Sequence, residues 1–97
     1  MEELLSRAHE AIKYLTNARA RIVYFLATEG VRTAGAIRRE CEVGNISDMV
    51  IRLNPILAKF GLQIINYPPT EPMVNSFGEP TAVHYWELVL FDGQSQG

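Results

Sequence analysis

A chain of 97 residues, 47% hydrophobic and 21% charged, has the make-up of one ordered domain and is too short for two independent cores. That balance excludes a disordered chain, and the apolar runs fall short of the roughly 20 residues a membrane-spanning helix needs. The net charge of −2 is unevenly placed: nine Lys and Arg against seven acids leave +2 in residues 1–60, whereas four acids and no base leave −4 in residues 61–97.

The opening MEELLSR is acidic, unlike a secretory signal, so a cytoplasmic protein is expected. Residues 2 to 15 carry apolar side chains at Leu4, Leu5, Ala8, Ile12 and Leu15, a spacing that lays one apolar stripe along a helix. Residues 1 to 16 are read as this N-terminal amphipathic helix, a candidate dimerisation element. Thr16 and Asn17 suit helix caps better than interiors, which divides it from a second helix through Ala27 that Gly30 closes with a left-handed cap. One unbroken helix from 2 to 29 is the alternative.

Thr33 is placed to cap a third helix, residues 34 to 41, with Ile37 and Cys41 inward and Arg38 and Arg39 outward. Gly35 weakens that helix by about 1 kcal/mol relative to alanine unless another element packs closely on it. Glu42, Val43, Gly44 and Asn45 supply a turn, in which Gly44 and Asn45 tolerate positive φ best. The next helix is expected to start near Ser47 as N-cap, with Asp48 favourable in its first turn. Ile46, Met49, Val50, Leu53, Ile56, Leu57 and Phe60 then form a core stripe of period 3.6. Pro55 lacks the N–H for the Ile51 carbonyl, so a kink or a split is expected there, with Asn54 capping a second segment.

Phe60, Gly61 and Leu62 lead into a strand at 62–67, and a second strand is expected at 83–91, both rich in β-branched and aromatic residues. In the second strand the Trp86 face is the better core candidate. Between the strands, five positions taken by Pro68, Pro69, Pro72, Gly78 and Pro80 are expected to exclude regular structure. Residues 93 to 97 read as a flexible tail.

The helix ending at Glu29 and Gly30, the Thr33-capped helix, the helix over 47–60 and the Lys59, Phe60, Gly61, Leu62 entry into a β-ribbon together resemble the winged helix-turn-helix superfamily, over about residues 17 to 91. The resemblance implies an α+β, mainly helical fold: a winged helix-turn-helix over 17–92, with the additional N-terminal helix and a C-terminal two-stranded β-wing. It implies a DNA-binding regulator of transcription whose recognition helix spans 47–59, contacting double-stranded DNA through the element at 33–60.

Arg52 leads the candidate DNA-contacting residues, because on that helix its guanidinium could fork onto a guanine edge or grip a phosphate; the plain alternative is a surface pair with Asp48. Asn45 and Ser47 stand where helix N-terminal donors meet phosphate, though capping alone would account for both. Arg38, Arg39 and Lys59 are candidate backbone contacts or a solvated face, and Asp48 is counted with the DNA-contacting residues of the recognition helix. Ile51 is an apolar residue on the outward face, suited to a thymine methyl or a protein partner, or to the core if Pro55 rotates the helix. A small domain reads few base pairs, so a homodimer through the N-terminal helix is expected.

The wing exposes Met73, Val74 and Phe77 without one base, whereas wings that track phosphates use Arg or Lys. The second reading is therefore an adaptor that binds a protein through this acidic, apolar wing. No enzyme, cofactor or metal is expected: His9 and His84 lack a ligand pattern, Cys41 reads as core packing, and the glycines are too scattered to cradle a phosphate.

Overall fold

The computed structural model describes residues 2–68, 73–74, 76–78, 80–81 and 83–91. The order is α1 (Glu2–Ile12), α2 (Asn17–Glu29), β1 (Arg32–Thr33), α3 (Ala34–Cys41), α4 (Ile46–Ala58), β2 (Leu62–Tyr67), β3 (Met73–Val74), β4 (Pro80–Thr81) and β5 (Tyr85–Leu90). The architecture is α+β and mainly helical, and the residues expected to form the tail lie outside those described.

α1 stops three residues short of its expected end. The N–H groups of Tyr14 and Leu15 turn back onto the Ala11 and Ile12 carbonyls, and Asn17, at φ 50°, reverses the chain into α2. Asparagine is among the few residues that enter this region at low cost. Thr16 flanks α2 with extended backbone but makes no side-chain cap bond. The apolar stripe of α1 packs within its own chain: Ala8, Ala11 and Leu15 are buried, with Leu4, Leu5 and Ile12 against the same core. The stripe expected to meet its twin in a homodimer thus packs on its own chain, with Leu4, Leu5 and Ile12 only partly buried.

α2 buries Ile22, Val23, Leu26 and Ala27 and ends at Gly30, whose N–H bonds the Leu26 carbonyl at 3.1 Å. Gly30 has positive φ as expected, but its ψ of −146° is extended rather than left-handed helical. β1 follows, a two-residue strand that no periodicity announces. It exists because Arg32 and Thr33 pair with Trp86 and Tyr85 of β5.

Thr33 caps α3 as expected, its Oγ1 accepting from the Ala36 N–H at 3.1 Å, while the Ala34 N–H bonds the His84 carbonyl at 3.2 Å. Ile37 and Cys41 are buried. The nearest atom to a Cβ built on Gly35 is Thr33 Oγ1 at 4.0 Å, with none from another helix, so close helix packing does not account for that glycine. In the turn, positive φ falls on Glu42 (54°), not on Gly44 or Asn45. Asn45 rather than Ser47 is the N-cap of α4, its Oδ1 accepting from the Asp48 N–H at 3.0 Å. The helix therefore begins one residue earlier than expected, at Ile46, which is buried.

α4 runs through Pro55 without dividing. Asn54 does not cap a second segment: its Nδ2 donates to the Ile64 carbonyl at 3.0 Å and its Oδ1 accepts from the Ile64 N–H at 2.8 Å. Ile46, Val50, Leu53 and Leu57 are buried, with Met49, Ile56 and Phe60 partly so, which matches the expected stripe.

The sheet has the order β1-β5-β2, antiparallel throughout, so the last strand is the central one. Leu62, Ile64, Trp86 and Leu88 turn inward and close the core against the helices, as expected of the Trp86 face, while Leu90 and His84 at its ends are exposed. The stretch expected to lack regular structure carries a small ladder instead, Met73 opposite Thr81 and Val74 opposite Pro80. Proline is tolerated there because two-residue strands leave an edge at which no N–H is required.

Candidate functional site

α4 faces two environments. Its inner stripe lies in the core, and its outer side carries Ser47, Asp48, Ile51, Arg52, Pro55 and Lys59, all exposed. Ile51 is 71% exposed, so Pro55 has not rotated it inward. Burying such a side chain against a partner would gain about 1.5–3 kcal/mol, enough to make this face a contact surface in energetic terms.

Arg52 and Asp48 are paired on that face, Arg52 Nε 3.2 Å from Asp48 Oδ2. An exposed i, i+4 pair of this kind is worth about 0.3–0.5 kcal/mol, so a phosphate or a base edge competes with it easily. Asn45 is occupied as a cap and Ser47 stands one residue inside the helix, so of the two only Ser47 has a side chain outside the capping role expected for it. Lys59 ends the helix, its N–H bonding the Ile56 carbonyl at 3.1 Å, with its side chain in solvent.

Arg38 and Arg39, adjacent in sequence, go to different clefts. Arg38 lines one of about 360 Å³ with Thr33, Ala34, Gly35, Val83 and His84, where no acid is present among the described residues. Arg39 lines another with Glu29, Glu40, Arg32 and Tyr24, in which Glu29 is paired with Arg32 at 3.1 Å. Of the pair, Arg38 is the one whose cleft has no acid among its described lining residues, which favours an anion there. His84, which sequence reasoning set aside as a surface residue, is exposed and shares the Arg38 cleft, its Nδ1 3.3 Å from Asn66 Oδ1. Only the β1–β5 pairing brings it there, and a spacing of 46 residues from Arg38 gave no signal of it.

Compared with protein-family models, curated proteins and solved structures, the chain matches none. The site therefore rests on its own geometry.

Elsewhere the chemistry is sparse. Cys41 is buried and its thiol is pushed up from its ordinary pKa by burial, the nearby Arg21 opposing and Glu40 adding to the shift. Arg21 Nε also donates to the Cys41 carbonyl at 2.8 Å. Such a thiol is a poor nucleophile. Among the described residues, no group of three or more His, Cys, Asp or Glu side chains comes together as a metal site, and no helix is long and apolar enough to cross a membrane. Between β2 and β5, Phe77 is 84% exposed, and Met73 and Val74 form β3 of the small ladder.

Proposed function

We propose that the protein is a winged helix-turn-helix regulator of transcription that binds duplex DNA with α4 as its recognition helix. The succession of α3, a four-residue turn, α4 and an immediate entry through Gly61 into a β-ribbon follows the order the resemblance implies. The observation that carries the reading is the uncovered face of α4, where a largely exposed Ile51 stands beside a weakly paired Arg52. Arg52 exchanges Asp48 for a base edge or phosphate, Ile51 offers apolar contact to a thymine methyl, and Lys59 and Arg38 neutralise backbone phosphates on either side.

So few cations set a quantitative expectation. Three phosphate contacts give a salt slope of about −2.7, so affinity for a random duplex falls about 40-fold between about 50 and 200 mM salt. Fluorescence anisotropy with a labelled duplex measures this. No binding at the lower salt, or binding indifferent both to salt and to Arg52→Ala, would remove the proposal.

A second reading is supported by the charge of the C-terminal third and by the exposure of Phe77: an adaptor that docks a protein on its wing. Replacing Phe77 and Met73 with serine then abolishes capture of that partner and leaves duplex binding intact.

A further inference from the structure

The sheet has a second face that neither reading uses. Along β2 and β5 the buried residues alternate with Gln63, Ile65, Tyr67, Tyr85, Glu87 and Val89, which therefore lie on the side turned away from the helices. The register sets Tyr67 directly opposite Tyr85 and Ile65 opposite Glu87. Both tyrosines are exposed, at 43% and 41%.

The Tyr67 hydroxyl donates to Glu87 Oε1 at 2.7 Å, a diagonal bond across the two strands. It fixes the carboxylate beside the tyrosine pair. A carboxylate has two oxygens and about four acceptor sites, so this one bond leaves most of its capacity open. No ion pair to Glu87 is present among the described residues, and residues 61–97 contain no Lys or Arg to provide one from the ribbon itself.

We infer that Tyr67, Tyr85 and Glu87 form a receptor for an arginine side chain of a partner protein. The charge complementarity selects a cation, since the register sets two electron-rich rings and a carboxylate on one face of the ribbon, and residues 61–97 hold no Lys or Arg. The geometry selects arginine over lysine: a planar, weakly hydrated guanidinium can lie on a tyrosine ring while its fork engages Glu87, and Ile65 and Val89 offer apolar cover to the stem. The receptor does not involve α4, so it stands or falls apart from duplex binding.

The test is an NMR titration of the full chain with an acetylated, amidated hexa-arginine peptide, beside the same titration with hexa-lysine. Saturable shifts centred on Tyr67, Tyr85 and Glu87 are expected. Glu87→Gln should weaken the arginine peptide about tenfold, since it removes the charge-assisted bonds, and Tyr85→Leu about threefold, since it keeps the apolar volume but removes the ring. Tyr67→Phe retains the ring and should change affinity less than either. Glu87→Gln should leave duplex binding as it is. Shifts spread evenly over all the acids, affinities unmoved in Glu87→Gln and Tyr85→Leu, or equal binding of hexa-lysine would each overturn the proposal. So would concentration-dependent shifts of the same residues without peptide, which would make a second copy of this chain the occupant. The near-isosteric Glu87→Gln keeps the test valid even if Tyr85→Leu fails to fold.

Discussion

Asn54, ten residues before Ile64, holds that residue's backbone by both of its polar groups, donating to the carbonyl at 3.0 Å and accepting from the N–H at 2.8 Å. The side-chain amide thus stands in for a neighbouring strand at the outer edge of β2. It ties α4 to the sheet at one fixed height and closes a pair of backbone groups that an edge strand otherwise offers to another chain.

Asn54→Ala should cost about 1–3 kcal/mol, because both backbone groups of Ile64 are left in a part-buried place without their partner. Urea denaturation gives the number directly. A change below about 0.5 kcal/mol would mean that water replaces the amide at no cost.

The Asp48–Arg52 pair gives a prediction in which stability and affinity part company. Asp48→Asn removes a weak exposed pair, so the melting temperature should scarcely move, yet it also removes an anion from the face proposed to meet phosphate. Duplex affinity should rise several-fold, while Arg52→Ala lowers it about tenfold or more. Anisotropy on the two variants, with thermal melts alongside, separates these outcomes. Equal affinities in both would mean that α4 does not touch the duplex.

Two exchanges involving glycine should each stabilise the fold. Glu42 sits at φ 54° as the C-cap of α3, a conformation that costs a side-chain-bearing residue about 1–2 kcal/mol, so Glu42→Gly should be stabilising. Gly35 is inside the same helix, and a Cβ there would meet only Thr33 Oγ1 at an ordinary 4.0 Å contact, so Gly35→Ala should gain up to about 1 kcal/mol. Chemical denaturation of both single variants and the double checks the signs.

Alkaline pH should weaken the fold. The Cys41 thiol is raised by burial and the Tyr67 hydroxyl by its bond to Glu87, with burial and the Glu87 charge adding to it. In each case the folded state retains a proton that the unfolded state releases, so stability is fully present below the ordinary pKa and falls as pH rises past it. The loss begins near pH 9 for Cys41 and near pH 10 for Tyr67. Cys41→Ala should flatten the first part of that fall, and Tyr67→Phe the second, in urea titrations at fixed pH.

What the sequence discloses is governed by range. The α4 stripe from Ile46 to Phe60 is legible because burial there repeats within the helix itself, and the Thr33 cap because its partner Ala36 is three residues away. β1 is illegible for the opposite reason: two residues carry no period, and the partners that make them a strand are Trp86 and Tyr85. The helix start at Ile46 was displaced because Asn45 and Ser47 are both good caps, and only the folded bond from the Asp48 N–H to Asn45 Oδ1 decides between them. Asn54 looked like a cap beside a proline, since nothing local indicates that β2 passes within reach of its amide. The candidate site follows the same rule. Ile51, Arg52 and Lys59 share one outward face by helical spacing, but the separation of Arg38 from Arg39 and the arrival of His84 depend on contacts the chain makes only when folded.

The central place of β5 has a consequence for assembly. β1 and β2 each pair with it and not with each other, so neither can enter a ladder until residues 85–90 arrive, more than fifty positions after β1. During refolding, the helices can collapse while the ribbon is still unmade, and Trp86, the single indole of the chain, enters the interior at the closing step. Its fluorescence in a stopped-flow jump would therefore report the slowest event rather than the first, lagging the far-ultraviolet signal of the helices.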